Sequence, residues 1–165
     1  MDIEKLLSEI IPPNDYEHRN GFSNKSIIDG LSTEEKGVIE EQLIKKLELG
    51  DEDLLIVETL SYLKSEKALP LLYELLNKSS DDRVRIIIAV SIFDINQDDS
   101  LVNIAIESFK KIESIKDAYF VFRLLSAFYY LSRFKDERAN ELIAAYTDHG
   151  DFLLSYNAKI ALGLK

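Results

Sequence analysis

Residues Asp81 to Ile112, DDRVRIIIAVSIFDINQDDSLVNIAIESFKKI, decide the fold. Asp81 or Asp82 can accept hydrogen bonds from the unpaired N–H groups that open a helix. Apolar residues then crowd every face of Val84 to Ile95, the pattern of a helix buried on most sides. Asn96-Gln97-Asp98-Asp99 breaks the run, and Asp99 is placed to cap the next helix. In that second helix Leu101, Ile104, Ala105, Ser108, Phe109 and Ile112 recur at helical spacing and define one apolar face. One such pair cannot cover both of its apolar sides, so similar pairs must stack before and after it.

The composition agrees with a helical globular chain. The 165 residues suffice for one domain with a real core, 46% are apolar and 30% charged, and six Gly and three Pro leave little for long loops. Thirty acidic against twenty basic residues give a formal charge of −10. That sign opposes nucleic-acid binding, which needs cations against phosphates, and suits encounter with a basic protein. With no cysteine, disulfides, thiolate metal sites and cysteine nucleophiles are excluded. The opening MDIEKLLSEIIPP lacks the basic start and apolar centre of a signal peptide. The most apolar later stretch, Ala118–Leu131, is broken by Arg123 and falls short of the roughly 20 residues that span a bilayer. A cytoplasmic protein without membrane contact is expected.

Around the central pair, the chain divides into further helices. Residues 2–11 form a short amphipathic helix stopped by Pro12-Pro13. Residues 14–25 are turn-rich and read as a recognition loop or a strap, with Tyr16 and Phe22 favouring a strap that buries them. Ser32-Thr-Glu-Glu35 is a capping box, and the helix it opens ends at Gly50. Asp51 or Asp53 starts the next helix, and Ser65 the one after, with Pro70 tolerated in its first turns. Helices are then expected over Asp117–Ser132, Asp136 to about Asp148, and from Gly150-Asp151 onward. The total is about nine.

Asp53, Asp82 and Asp151 occupy equivalent starts at separations that suit helix-pair repeats. Leu71, Leu72, Leu75 and Leu76 align with Ile104, Ala105, Ser108 and Phe109. Asp82-Arg-Val-Arg followed by Ala89 resembles the D-x-V-R-x-x-A start of HEAT repeats, and residues 67–76 and 156–163 resemble other parts of that unit. In two corresponding places Leu54-Leu55 and Leu153-Leu154 replace the Val-Arg pair. The resemblance implies an all-α, short right-handed solenoid in a single domain, 1–31 being an N-terminal helix and strap and 32–165 the repeats. It also implies protein binding without chemistry, and second helices that line a concave face.

On those second helices, Tyr73, Glu74, Asn103, Glu107, Glu141 and Asp148 are the expected partner-binding residues, an acidic groove with an aromatic anchor. No catalytic motif, metal set or cofactor signature occurs. His18 and His149 lack a patterned acid or base, and His149 reads as a helix-finishing cation. Asp94-Ile-Asn-Gln-Asp-Asp99 lacks the Gly and final Glu of a calcium loop and reads as capping. The aromatic run Tyr119 to Tyr130 reads as core, with one of Tyr129 and Tyr130 reaching solvent. The expected function is a monomeric immunity or inhibitor protein that occludes a basic, nuclease-type toxin, as small acidic helical-repeat proteins of this kind do. A structural adaptor, or less readily a nucleic-acid-processing HEAT-like enzyme, would share the fold.

Overall fold

The structure, a computed structural model, describes residues 2–165. Among the described residues there is no strand. The α-helices are α1 (Ile3–Ile10), α2 (Tyr16–Arg19), α3 (Lys25–Asp29), α4 (Thr33–Glu48), α5 (Leu54–Tyr62), α6 (Leu69–Lys78), α7 (Asp82–Asn96), α8 (Ser100–Ser114), α9 (Phe120–Ser132), α10 (Glu137–Ala144) and α11 (Phe152–Ala161). A 3-10 turn, Glu66–Ala68, leads into α6. Among the described residues there are two more α-helices than the nine expected: the short α2 falls within the segment 14–25 read as a turn-rich strap, and α3 follows at its end.

Local chemistry sets most helix starts. Ser32 accepts from the Glu35 N–H at 3.2 Å while the Glu35 carboxylate accepts from the Ser32 N–H at 2.8 Å, closing the capping box. Gly50 ends α4 at a φ of +91°, where a side chain would be strained. Asp53, Asp81, Asp136 and Asp151 each accept backbone N–H groups at the start of the following helix. The repeat-start aspartate of α7 is therefore Asp81, and Asp82 is already its first helical residue. Before α8 the side-chain acceptor is Asp98, which takes the Ser100 N–H at 3.0 Å, whereas Asp99 makes no capping bond. Helix α9 begins at Phe120 rather than at Asp117, whose carboxylate instead accepts from the Tyr119 N–H.

The chain packs as two compact units, divided between Leu72 and Tyr73, inside α6. In the first, α1 packs on α3 and α4 on α5, burying Ile10, Ile28, Ile39, Leu43, Ile56 and Leu60. Full burial of each such side chain contributes roughly 1.5–3 kcal/mol. The strap segment is held by polar groups. Arg19 donates to the Pro12 carbonyl and to both oxygens of Asp53, at 2.5 and 3.2 Å for the latter. Asn24, buried at the start of α3, turns its amide inward to the Ile10 carbonyl and the Thr59 hydroxyl. Tyr16, expected to anchor the strap, is 81% exposed. An arginine and an asparagine do that work because both partners lie close enough for direct hydrogen bonds.

In the second unit, α7 packs on α8 and α9, and α9 in turn on α8, α10 and α11. Ile86 to Phe93 are buried without interruption, as the all-round apolar sequence of α7 requires. Arg85 closes the preceding turn by donating to the Leu76 and Ser79 carbonyls. Phe109, Phe128 and Tyr146 stack in series behind α8, α9 and α10, with ring centroids 6.1 and 5.2 Å apart. No described helix is long and apolar enough to cross a membrane.

Candidate functional site

All six residues expected to bind a partner fall in the second unit, and three of them, Tyr73, Glu74 and Asn103, are engaged by neighbouring side chains. The Tyr73 hydroxyl donates to Asp98 at 2.5 Å and accepts from Asn96 at 3.0 Å, so it braces the α7–α8 turn. Glu74 is exposed and paired with Lys78 one turn along α6. Asn103 accepts from Arg138, whose guanidinium is also held by Asp136. That contact joins α8 to the start of α10 and puts a cation beside the expected acidic groove. Glu107, Glu141 and Asp148 are exposed and have no ion-pair partner among the described residues. Lys110 and Lys111 are also exposed, three and four positions past Glu107, on its side of α8. The exposed sides of α6, α8 and α10 thus mix both signs.

The acidic excess lies elsewhere. Up to Leu72 the chain holds 16 acidic and 8 basic residues, a formal charge of −8. From Tyr73 onward it holds 14 and 12, leaving −2. On α4 the exposed Glu34, Glu41 and Glu48 follow at intervals of seven and share one face. A charge count by halves of the sequence was the signal that locates this.

Tyr119 and Phe122 overturn their reading as core, while Tyr129 is the one of the Tyr129–Tyr130 pair that reaches solvent. Tyr119, Phe122 and Tyr129 are all more than half exposed, with Phe122 at 66%, while Phe128 alone of the run is fully buried. Leu124, Phe128 and Leu131 take the inner face of α9, so Phe122 and Tyr129, seven apart, share the opposite one. Tyr130 is half-buried and its ring meets that of Tyr129 edge-on at 5.0 Å. Arg123 donates to Asp117 at 2.7 Å, and Arg133 pairs with Asp94.

The titratable groups behave as structural ones. His18 has an acid beside it after all: Asp15 lies 2.7 Å from Nδ1, and takes the His18 backbone N–H at 2.9 Å. Those contacts, the backbone one foremost, lower the Asp15 pKa, and they serve as the cap of the four-residue α2. His149 lies in the turn between α10 and α11, where its Nδ1 accepts the Asp151 N–H at 3.0 Å and its ring lies 5.6 Å from that of Tyr146. Asp94 and Asp98 are engaged by Arg133, Tyr73 and Ser100, and no group of side chains suited to a metal occurs among the described residues. Ser100 and Tyr73 together hold the Asp98 pKa down.

Tyrosine hydroxyls bonded to carboxylates are raised: Tyr146 by burial and by Glu113, Tyr73 by burial and by Asp98, Tyr62 by its bond to Asp29. The native state holds these protons at pH values where the unfolded chain, with tyrosines near 10, has released them. The contribution of these tyrosines to stability should therefore be full below about pH 10 and fall as the pH rises beyond it. Thermal unfolding followed across that range checks this, and Tyr146→Phe should flatten the slope. An unchanged slope in that variant would remove Tyr146 as its source.

Comparison of the chain with protein-family models, curated proteins and solved structures finds no match in any of the three.

Proposed function

We propose that the protein is a binding module, built of helix pairs stacked in the manner of a HEAT-like solenoid, whose partner is a basic protein. The observation that carries the binding reading is the exposure of Phe122 and Tyr129 on the outer face of α9, with Tyr119 exposed just before its start. Large aromatics left in water cost solvation free energy that a partner surface would recover, and such residues dominate interface energetics. The partner's sign follows from the −8 excess up to Leu72. Within this class the reading we favour is inhibition of a nuclease-type toxin in the cytoplasm, carboxylates occupying the place of nucleic-acid phosphates in its cleft. It involves no catalysis and no cofactor.

The charges to test are Glu34, Glu41 and Glu48 of α4 against Glu74, Glu107 and Glu141. With a basic nuclease captured from native extract, Lys at the α4 positions should weaken affinity about tenfold or more, and Phe122→Ala with Tyr129→Ala by a similar factor. Reversal at Glu74, Glu107 and Glu141 should do less. Affinity indifferent to all three sets would overturn the proposal. A second reading, an adaptor between two proteins, is favoured by a separate apolar row on α11. It predicts that capture survives high salt and that the captured protein keeps its activity.

A further inference from the structure

Asn20-Gly21 and Asp29-Gly30 each set a side-chain carbonyl carbon next to the backbone nitrogen of a glycine, and no other asparagine or aspartate of the chain precedes one. Glycine, having no Cβ, hinders attack by its own nitrogen least. The fold treats the two places differently. The Gly30 N–H is used by the last turn of α3, donating to the Ser26 and Ile27 carbonyls at 3.3 and 3.2 Å. The Asp29 carboxylate accepts the Tyr62 hydroxyl at 2.8 Å. Gly21 instead lies past the end of α2. There the Asn20 N–H donates to the Tyr16 carbonyl and the Phe22 N–H to the Arg19 carbonyl, and the Gly21 N–H has no partner among the described residues. Asn20 and Gly21 are both exposed, φ at Gly21 is +71°, and nothing lies within 4 Å of where a Cβ would stand. The Asn20 side chain is held among the described residues by one hydrogen bond, from Nδ2 to the Tyr16 hydroxyl at 3.0 Å. That tyrosine is itself largely in water.

We infer that Asn20 is a modification site at which the folded protein deamidates itself, with water as the co-reactant. The Asn20 ψ is +112°, so closure needs rotation about its Cα–C bond, for which the open turn has room. The Gly21 nitrogen, having given its proton to solvent, attacks Asn20 Cγ. The N–Cγ bond forms, the Cγ–Nδ2 bond breaks, and Nδ2 takes a proton from water and leaves as ammonia. Water then opens the five-membered imide at one of its two carbonyl carbons. Breaking the new N–Cγ bond leaves aspartate at position 20. Breaking the original peptide bond instead leaves isoaspartate, with the main chain routed through Cβ and Cγ and one atom longer. The extra atom falls inside the turn that the Phe22 N–H closes on the Arg19 carbonyl. Arg19 is also the residue that ties this segment to Pro12 and Asp53, so the isoaspartyl product loosens the strap at its main polar tie. The inference does not depend on the proposed partner.

Ageing the full chain at mildly alkaline pH, folded and in guanidinium chloride, tests it. Peptide mass spectrometry with fragmentation follows positions 20, 24 and 29 over time, and enzymatic carboxyl methylation reads isoaspartate. In the folded protein Asn20 should convert at a rate that rises with pH and approaches the rate in denaturant. Asn24, buried and bonded to Ile10 and Thr59, should remain an amide until the chain is unfolded. Isoaspartate at Asp29 should accumulate faster in denaturant than in the folded state, because unfolding frees the Gly30 N–H. In the isolated isoaspartyl form, hydrogen exchange over residues 12–22 should be faster than in the unmodified protein, with α7 and α8 unchanged. An Asn20 that persists in the folded chain while converting in denaturant overturns the site. Equal conversion of Asp29 in both states overturns the role given to the free glycine N–H. Unchanged exchange in the isoaspartyl form overturns the link to the strap.

Discussion

Phe128→Ala should cost about 3–5 kcal/mol of stability, the range for truncating a fully buried phenylalanine. The ring is 0% exposed and lies between those of Phe109 and Tyr146, which belong to α8 and to the turn after α10. Its removal leaves a cavity bordered by α8, α9 and the turn after α10, which the Asn103–Arg138 and Glu113–Tyr146 hydrogen bonds also tie together, so collapse around it is opposed from several sides. Native domains are stable by only about 5–15 kcal/mol, so the loss would be a large fraction of the total. Urea unfolding followed by circular dichroism should show a clearly lowered midpoint. Phe122→Ala, on the same helix but the outer face, should lie within about 0.5 kcal/mol of the wild type. Equal losses in the two variants would mean that the faces of α9 have been assigned the wrong way round.

Asn24→Asp should have an effect of similar size, although only one NH2 group becomes oxygen. Asn24 donates to two acceptors, the Ile10 carbonyl and the Thr59 oxygen, at 3.0 and 2.8 Å. The Thr59 hydroxyl proton is already given to the Leu55 carbonyl at 2.6 Å. An introduced carboxylate would face oxygen lone pairs on both sides with no compensating cation. Breaking a buried polar arrangement in this way costs about 3–5 kcal/mol. The sign with pH follows from the same geometry. Burial and repulsion raise the introduced group's pKa in the folded state above the usual value near 3.9. The deficit is therefore greatest at neutral pH and shrinks toward pH 4, where the neutral acid can donate one hydrogen bond. Denaturant midpoints measured at both pH values check it. A deficit that is the same at both would show that the charge is not the cause.

The helices were legible in the sequence where their signals are local. A carboxylate or hydroxyl two or three residues before an N–H needs no information from elsewhere, so the box at Ser32 and the helix start at Asp151 follow from spacing, while the choices between Asp51 and Asp53 and between Asp81 and Asp82 stayed open until the structure placed the caps at Asp53 and Asp81. The uninterrupted apolar run of α7 likewise demands burial on all sides. What failed depended on distant partners. The strap is held by Arg19 on Asp53 and Asn24 on Thr59, 34 and 35 residues away, and such ties leave no periodic trace. In α9 aromatic residues lie on both faces, so composition suggested core, while the interval of seven between Phe122 and Tyr129 already set them opposite Leu124 and Leu131. In the expected groove Lys78 and Arg138 lie beside Glu74 and Asn103, neighbours that the carboxylate pattern alone does not reveal.

In the proposed complex with a basic protein, the uneven charge would separate arrival from residence. The carboxylates before Tyr73 would act at long range and set the association rate, which would fall as salt screens them. The exposed aromatics Phe122 and Tyr129 of α9 would act only on contact and set how long the complex lasts. Stopped-flow mixing at two ionic strengths would read the first, and dissociation of the Phe122→Ala complex the second. Salt and side-chain truncation would then tune the same affinity through different rate constants.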